Sequence, residues 1–469
     1  MFLKSIFTNS FGILISRIFG LIRDLLTASV LGANIYSDMF FIAFKLPNLF
    51  RRIFAEGAFT QSFLPSFAKS KNKSAFAVAV FIRFIIVLAF FSLLVTLFDT
   101  FFTKLIAMGF SKEIVAKAAP LVAINFYYLI LIFSVTFLAT LLQYKNHFAT
   151  TAFSTALLNI SIITALLISK GMGAEVIVYY MSYAVVAGGV FQLIVHFIAI
   201  KKLGLFKIFT VGATSLKIRK YNLKNELNRF YKLFFPAILG NSTAQLSAFI
   251  DTYLATFLVS GSISFLYYAN RIFQLPLALF AIAVSVAIFP KIAKFLKHQN
   301  KIKAYALIKK SFWLLAYLLS FSMIGGIILS KEIIWLIFQR GAFSDIDTAK
   351  TSLVLSMYMI GLVPFGLTKI FSLWLYSLHK QKIAAKISSI SLGVNIILSL
   401  ALIIPLKAAG LALASSLSGF ILFYLTIKEF GLKEFLGIIW DKKLIYLIIL
   451  LILEGIILYI FKGFVDVYI

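Results

Sequence analysis

The sequence contains no cysteine, which excludes disulfides, thiol catalysis and cysteine-based metal sites. Its four histidines are scattered and none has the spacing of a zinc-binding pair, so we predict no metal site of that kind. The chain also lacks a Gly-rich phosphate loop of the ATPase type and a Ser/His/Asp set placed for nucleophilic chemistry. These absences argue against an enzyme and against direct use of ATP, and they favour transport.

Acidic residues are scarce, with 16 Asp and Glu against 45 Lys and Arg in 469 residues. Most of the net charge of +29 lies between apolar segments, as is typical of the cytoplasmic loops of membrane proteins. We therefore expect no nucleic-acid partner, because no soluble basic domain is present to bind one. With 62% hydrophobic residues and a mean hydropathy of +1.01, the chain is predicted to be an all-α polytopic membrane protein.

The apolar segments predict about 13 membrane-spanning helices in two pseudo-symmetric six-helix lobes. We expect an N-terminal lobe at 1–200, a basic cytoplasmic linker at 201–228, a C-terminal lobe at 229–430 and an additional transmembrane segment at 431–469. The N-terminus is predicted to be cytoplasmic, because the loops on the other side contain almost no basic residue besides Lys407. The predicted spans are 8–31, 36–68, 76–103, 113–143, 148–169, 174–200, 229–258, 264–296, 303–329, 346–378, 381–404, 408–429 and 443–461.

A repeat supports the division into two lobes. The tetrapeptide at 44–47 (FKLP) matches 273–276 (FQLP), and the segment 63–69 matches 288–294 at a similar offset. Both copies lie on the second span of their half, so the repeats are parallel. Transporters built from such repeats bind substrate at the interface between the halves. Prolines inside spans are expected to kink or break them; these are Pro47, Pro276 and Pro364.

Charged side chains inside the first two apolar segments are the main functional signal. A charge at the middle of a bilayer costs about 2.5–3.5 kcal/mol on insertion scales, so such residues usually face a protein interior or a water-filled cavity. Asp38, Lys45 and Arg52 are seven residues apart and share one helix face. Internal salt bridges are the alternative interpretation, but the stripe is net basic, which favours a cavity lining. The supporting polar residues are Asp24, Asp38, Lys45, Asn48 and Glu56.

Arginine suits a phosphate ligand, because its planar guanidinium donates two hydrogen bonds at once and stays charged. A diphosphate is therefore the predicted ligand, whereas an amine or a cationic drug would require a net acidic pocket. Whether Arg51 or Arg52 contacts the ligand stays open, since the two lie about 100° apart on a helix. The predicted substrate-binding residues are Arg17, Arg23, Arg51, Arg52 and Arg271.

A second polar group lies on the later spans. Asp251 is within the seventh span, Asn395 and Ser399 are one helical turn apart on the eleventh, and Ser415 lies on the twelfth. Such oxygen ligands suit a monovalent cation, Na⁺ or H⁺, although a buried hydrogen-bonded aspartate is the simpler interpretation. Coupling to the membrane potential is the other energy source, and we predict no further cofactor.

Several segments resemble the MurJ (MviN) lipid II flippases of bacteria. They are 16–24 (SRIFGLIRD), 44–59 (FKLPNLFRRIFAEGAF), 267–271 (YYANR) and 338–343 (FQRGAF), within a resemblance that covers about 1–430. It implies the fold of the multidrug/oligosaccharidyl-lipid/polysaccharide (MOP) exporter superfamily. It also implies movement of the undecaprenyl-diphosphate-linked peptidoglycan precursor to the outer leaflet of the inner membrane by alternating access, for cell wall biogenesis and cell shape.

The resemblance also implies which residues are functional and which partners the protein has. The family's functional arginines fall on Arg17, Arg23, Arg51 and Arg271, and Asp24, Asp38 and Glu56 are the supporting acids. The implied partners are lipid II and membrane lipids, with cell-wall synthesis proteins as further candidates and a monomer as the expected state. The chain departs from the family in having 13 predicted spans, where members commonly have 14, and in having Asn270 where an acid usually precedes the second-half arginine.

Three other functions stay open from the residues alone. The first is a flippase for another polyprenyl-diphosphate-linked oligosaccharide, and the second is a cation-coupled multidrug exporter. The third is a membrane scaffold for cell-wall enzymes, in which the arginines would have no role.

Overall fold

The structure, a computed structural model, describes residues 2–51, 58–218 and 222–465, with the side chains at 2–10, 13 and 239–244 left aside. Every regular element in these ranges is helical. A π-helical segment, Leu277–Ile282, accompanies twenty α-helices. The helices are α1 (Phe2–Leu31), α2 (Ile35–Phe50), α3 (Thr60–Lys69), α4 (Lys73–Leu97), α5 (Asp99–Ile106), α6 (Lys112–Phe126), α7 (Tyr128–Tyr144), α8 (Ala149–Ile168), α9 (Ala174–Lys202), α10 (Lys207–Lys217), α11 (Lys224–Ala255), α12 (Ser262–Pro276), α13 (Ala283–Lys297), α14 (Lys301–Ile328), α15 (Ser330–Phe338), α16 (Asp345–Met359), α17 (Leu362–Ser377), α18 (Gln381–Phe430), α19 (Leu432–Ile439) and α20 (Lys442–Val465).

Nine helical stretches in the described ranges are long and apolar enough to cross a membrane. The chain is thus a multi-pass, all-α membrane protein, as predicted, while the number of 13 or 14 spans stays a prediction. Helix α1 is not among the nine and carries Arg17, Arg23 and Asp24 within its apolar sequence. Helix α18 counts once, although Lys407 (φ 52°, ψ −130°) breaks it between the predicted spans 381–404 and 408–429.

The chain divides into two compact units, Met1–Phe249 and Ile250–Ile469. The repeated segments lie on corresponding elements, α2 and α3 in the first unit and α12 and α13 in the second. In both copies π-helical residues follow the matched proline: residues 51, 58 and 59 after Pro47, and Leu277–Ile282 after Pro276. A proline lacks the backbone N–H and clashes with the preceding turn, so it displaces the regular hydrogen-bond pattern. The predicted lobe boundaries stay predictions.

The core of the first unit is built largely from phenylalanine rings. Phe63 is fully buried, and its ring centroid lies 5.1 Å from that of Phe59, 5.3 Å from Phe137 and 5.6 Å from Phe76. Stacked and edge-on pairs at these distances stabilise a core beyond the burial of their area. This cluster joins α3, α4, α7 and the beginning of α11.

The segment predicted as a cytoplasmic linker, 201–228, is described at 201–218 and 222–228, and these parts are mainly helical and packed. It contains α10, whose Gly212 lies so close to α4 that an added Cβ would stand 2.4 Å from the carbonyl oxygen of Ser74. Glu226 at the start of α11 accepts a hydrogen bond from Ser70 Oγ (2.9 Å) and another from the backbone N–H of Lys71 (3.1 Å). These contacts attach the segment to the first unit.

We expect Phe63→Ala to destabilise the first unit by about 3–5 kcal/mol, because it removes a fully buried ring and leaves a cavity. Thermal unfolding of the purified protein in detergent measures the loss. Phe101→Ala is the matched control, since that ring is 63% exposed and its loss leaves no cavity. Equal losses in the two variants would show that the cluster does not stabilise the unit.

The last helix is attached to the second unit near both of its ends. Lys309 on α14 forms an ion pair with Asp441 (3.1 Å), and Lys462 on α20 forms one with Glu332 on α15 (3.4 Å). The backbone N–H of Lys443 and then the Lys309 ammonium hold the pKa of Asp441 below its usual value. Helix α19 is too short to cross a bilayer. Thus, in the described part of the chain, α20 is the only helix after α18 that can span a membrane.

Candidate functional site

Arg23 of the first unit is held between an acid and an amide. Its Nε and Nη2 donate to Asp24 Oδ1 at 3.0 and 2.6 Å, and its Nη1 donates to Asn159 Oδ1 on α8 at 2.9 Å. Arg23 is 9% exposed and Asp24 is 3% exposed. A buried charge needs both a counter-ion and hydrogen bonds to offset its lost hydration, and Arg23 has both. The two residues form a fixed, neutralised pair.

Glycines bring α1 and α8 together at this place. A Cβ on Gly12 would stand 2.7 Å from Ala152 Cβ, so α1 meets α8 there at a distance that only glycine allows. Two turns later, Gly20 faces the side-chain nitrogen of Asn159, which donates to the carbonyl of Ser16 at 3.1 Å. Asn159 therefore links the backbone of α1 to the guanidinium of Arg23. The sequence reasoning missed Asn159, because a single asparagine in an apolar span carries no local signal.

The other arginines of the first unit retain accessible surface. Arg17 is exposed and makes no hydrogen bond or ion pair with any residue that the structure describes. Arg51 is half-buried at the end of α2, and its Nε donates to Asn48 Oδ1 at 3.0 Å. Arg17 and Asp24 are seven residues apart, which places them near one face of α1, yet Asp24 contacts Arg23 and Arg17 stays outside that pair.

The predicted polar stripe of the second span is only partly described. Asp38 is 2% exposed in the first turn of α2, and Lys45 is half-buried two turns later. Arg52 and Glu56 lie outside the described residues. The choice between Arg51 and Arg52 as the ligand-contacting residue therefore stays a prediction.

In the second unit, Arg271 lies against the ring of Tyr267. Its Nη2 donates to the Tyr267 hydroxyl at 2.7 Å, and its Cζ lies 4.8 Å from the ring centroid. Tyr267 stands four residues before Arg271, where a helix brings side chains together, and the sequence analysis did not single it out as a partner. Asn270 and Gln274 are hydrogen-bonded to each other on the following turn. The aromatic face and hydroxyl keep Arg271 oriented without neutralising its charge.

The predicted cation ligands of the second unit lie together. Ser415 Oγ donates to Asp251 Oδ2 at 2.9 Å, and Asn395 Nδ2 donates to Ser415 Oγ at 3.2 Å. Ser399 is fully buried one turn from Asn395, and its hydroxyl has no hydrogen-bond partner in the described part of the chain. One carboxylate with neutral oxygens suits a monovalent cation better than a divalent one, which prefers more charge. No group of three or more His, Cys, Asp or Glu occurs among the described residues.

Charged and polar side chains buried within a many-helix membrane protein are typical of transporters. A solved structure described as an inward-facing multidrug resistance MATE family transporter of the MOP superfamily matches this chain with a TM-score of 0.68. The match covers 92% of this chain and 98% of the other at 11% identity, so it shows the fold alone. The class is therefore a membrane protein with the MOP transporter fold.

Closer relatives define the family. The family model described as "Lipid II flippase MurJ" matches residues 27–469. A Helicobacter pylori protein named "Probable lipid II flippase MurJ" is 52% identical over 447 residues, which are 93% of this chain and 97% of that protein. A solved structure described as "Lipid II flippase MurJ, inward closed conformation" has a TM-score of 0.79 at 26% identity, with 98% of both chains covered. The chain belongs to the MurJ family, which confirms the resemblance.

Proposed function

We propose that the chain is a flippase that moves lipid II from the inner to the outer leaflet of a bacterial cytoplasmic membrane. Its family membership supports the substrate, and arginines on membrane-embedded helices support recognition of a diphosphate. The proposed topology has a cytoplasmic N-terminus, because basic loops are retained on that side. The polyprenyl tail stays in the bilayer while the charged head group crosses through protein. The protein is proposed to act as a monomer in contact with membrane lipids.

The observation that carries this proposal is the accessibility of three arginines on helices of the apolar bundle. Arg17 is exposed, while Arg51 and Arg271 are half-buried and each donates one described hydrogen bond to a neutral side chain. We assign all three the phosphate contacts, because each keeps accessible surface on a helix of the apolar bundle. Arg23 contributes differently, since Asp24 neutralises it and its guanidinium fixes α1 against α8. Arg52 is a further candidate.

Alternating access follows from the energetics of these contacts. Attraction between a guanidinium and a phosphate strengthens as water is excluded, so tight binding alone would trap the substrate. We propose that the two units rock and separate their arginines. This separation weakens the arginine–phosphate contacts and releases the diphosphate at the outer leaflet. A multidrug exporter of cations is disfavoured, because these arginines would repel its substrate.

The cycle is proposed to be reset by a monovalent cation at Asp251, Asn395, Ser399 and Ser415, or by the membrane potential. We expect Asp251→Asn to remove the Na⁺ dependence of transport, because it deletes the only full charge in this group. Transport in proteoliposomes is compared in sodium and in choline medium. Ser356→Ala, which removes a half-buried hydroxyl of the same unit outside this group, is the control. Sodium dependence retained by Asp251→Asn would place the Na⁺ site elsewhere. Equal transport by the wild-type chain in sodium and in choline would leave the membrane potential as the energy source.

Complementation tests the proposed function. A bacterium depleted of its own MurJ family member should regain growth and normal shape when this chain is expressed. An Arg17→Ala variant at the same membrane level should fail, because a mobile phosphate contact is lost. Equal rescue by this variant would support a scaffold role in which the arginines contact no substrate. Absence of rescue by the wild-type chain, with the protein verified in the membrane, would contradict the flippase function.

A further inference from the structure

Lys369 is an ionisable residue within an apolar helix that the proposed site does not use. It lies in the middle of α17, between the buried residues Thr368 and Ile370, yet its own side chain is exposed. It forms no hydrogen bond or ion pair with any residue in the described ranges. Charged side chains at membrane depth usually face a cavity or a partner, so Lys369 requires an explanation beyond packing.

The accessible face of α17 carries a short polar stripe around this lysine. Lys369, Ser372 and Tyr376 are three to four residues apart along the helix and form this stripe, while the half-buried apolar residues Phe365 and Leu373 lie one turn to either side of Lys369. A face that contacts lipid tails is apolar instead, as on α20, which exposes isoleucines and leucines. The polar stripe of α17 therefore suits a water-filled path better than a lipid contact.

The part of α17 just before Lys369 packs against the helix that carries Arg271 and the π-helical segment after it. The ring of Phe365 lies 6.2 Å from that of Phe273, two residues after Arg271, and Gly366 lies against Ala281. Ala281 lies ten residues after Arg271, in the π-helical segment that follows α12. Lys369 comes one turn after Gly366. In the proposed topology it lies on the cytoplasmic side of Arg271.

We propose that Lys369 is a second substrate-contacting cation of this unit, which binds a phosphate of the lipid-linked diphosphate before Arg271 does. The inference rests on the proposed function and adds a contact to it. An ammonium on a flexible stem binds phosphate as a point charge, whereas a guanidinium binds it through a rigid fork. Lys369 is thus suited to a loose first contact, and Arg271 to the tighter contact that follows.

The absence of cysteine makes accessibility directly measurable, because Lys369→Cys introduces the only thiol in the chain. We expect a water-soluble, membrane-impermeant thiol reagent to label Lys369→Cys in inside-out vesicles. Ile370→Cys, which replaces a fully buried neighbour, and Ile449→Cys on the apolar face of α20 should stay unlabelled. Labelling of Lys369→Cys no faster than of Ile449→Cys would place the residue against lipid and overturn the proposal.

Protection of Lys369→Cys from labelling distinguishes two sources of the phosphate that contacts this position, lipid II and membrane phospholipid. Lipid II should slow the labelling of Lys369→Cys, while phosphatidylglycerol at the same phosphate concentration should not. Equal protection by the two lipids would assign Lys369 to phospholipid head groups and overturn the proposal.

Transport kinetics test the role itself. We expect Lys369→Gln to raise the lipid II concentration needed for half-maximal transport about tenfold with little change in the maximal rate, and Lys369→Arg to restore it. Lys331→Gln, an exposed lysine on α15, is the matched control. Unchanged concentration dependence in Lys369→Gln would contradict the proposal and leave the flippase function standing. Failure of the wild-type chain to move lipid II would instead remove the proposed function.

Discussion

Arg271→Ala should lower lipid II transport by about ten- to a hundredfold and abolish complementation. The substitution removes a charged, two-pronged hydrogen-bond donor, and each hydrogen bond to a charged group contributes about 1.5–3 kcal/mol. Arg271 contacts Tyr267 on its own helix, and the thermal unfolding temperature of the variant in detergent checks that the packing of α12 is retained. Transport into proteoliposomes at equal protein content measures the effect.

Graded variants separate charge from geometry at this position. Arg271→Lys keeps the charge and loses the fork, so it should retain part of the activity. Tyr267→Phe keeps the ring and removes the hydroxyl that orients Nη2, so its effect should be smaller than that of Arg271→Ala. Arg340→Ala, an exposed arginine of the same unit, should transport normally. Full activity of Arg271→Ala would remove this residue from the site.

Asp24→Ala should destabilise the first unit by about 3–5 kcal/mol, because it leaves the buried guanidinium of Arg23 without its counter-ion. The expected consequence is a lower yield of folded protein in the membrane and a lower thermal unfolding temperature in detergent. Function should fall with the amount of folded protein, since the pair fixes α1 rather than contacting the substrate.

Two comparisons test this structural role. Asn159→Ala removes one hydrogen bond of Arg23 and leaves the ion pair with Asp24. It should therefore lower the free energy of unfolding less than Asp24→Ala does. Glu113→Ala breaks an exposed ion pair with Lys117 in the same unit and should change stability little, because solvent screens that pair. A normal unfolding temperature for Asp24→Ala, combined with lost transport, would show that Asp24 acts in transport and not in packing.

The helical and membrane-spanning character of the chain was predictable, because long apolar runs allow no other assignment. The repeat was predictable from Pro47 and Pro276, and the structure adds the π-helical residues that follow both. The packing of the described parts of 201–228 was not predictable, because its six lysines are typical of a cytoplasmic loop. Gly212 and the leucines that pack α10 and the start of α11 against the core are dispersed among them.

Contacts of the arginines were predictable only in part. By spacing, Asp24 lies near the helix face of Arg17, seven residues earlier, and not on the face of Arg23. The contact between Arg23 and Asp24 depends on side-chain length, because the long guanidinium side chain reaches a carboxylate that lies about 100° around the helix. Asn159 comes from α8, far along the chain, and no local pattern connects it to Arg23. In contrast, Asp251, Asn395 and Ser415 were grouped by chemistry alone, and the structure brings them into hydrogen-bond contact.

The most direct test of the flippase function is the amount of lipid II in the outer leaflet of cells depleted of this protein. Lipid II accessible from outside is labelled or cleaved by an impermeant reagent, and the total is measured after lysis. The account predicts that depletion lowers the outer fraction while lipid II accumulates inside, and that the wild-type chain, but not Arg271→Ala, restores the outer fraction. An outer fraction unchanged by depletion would contradict the account.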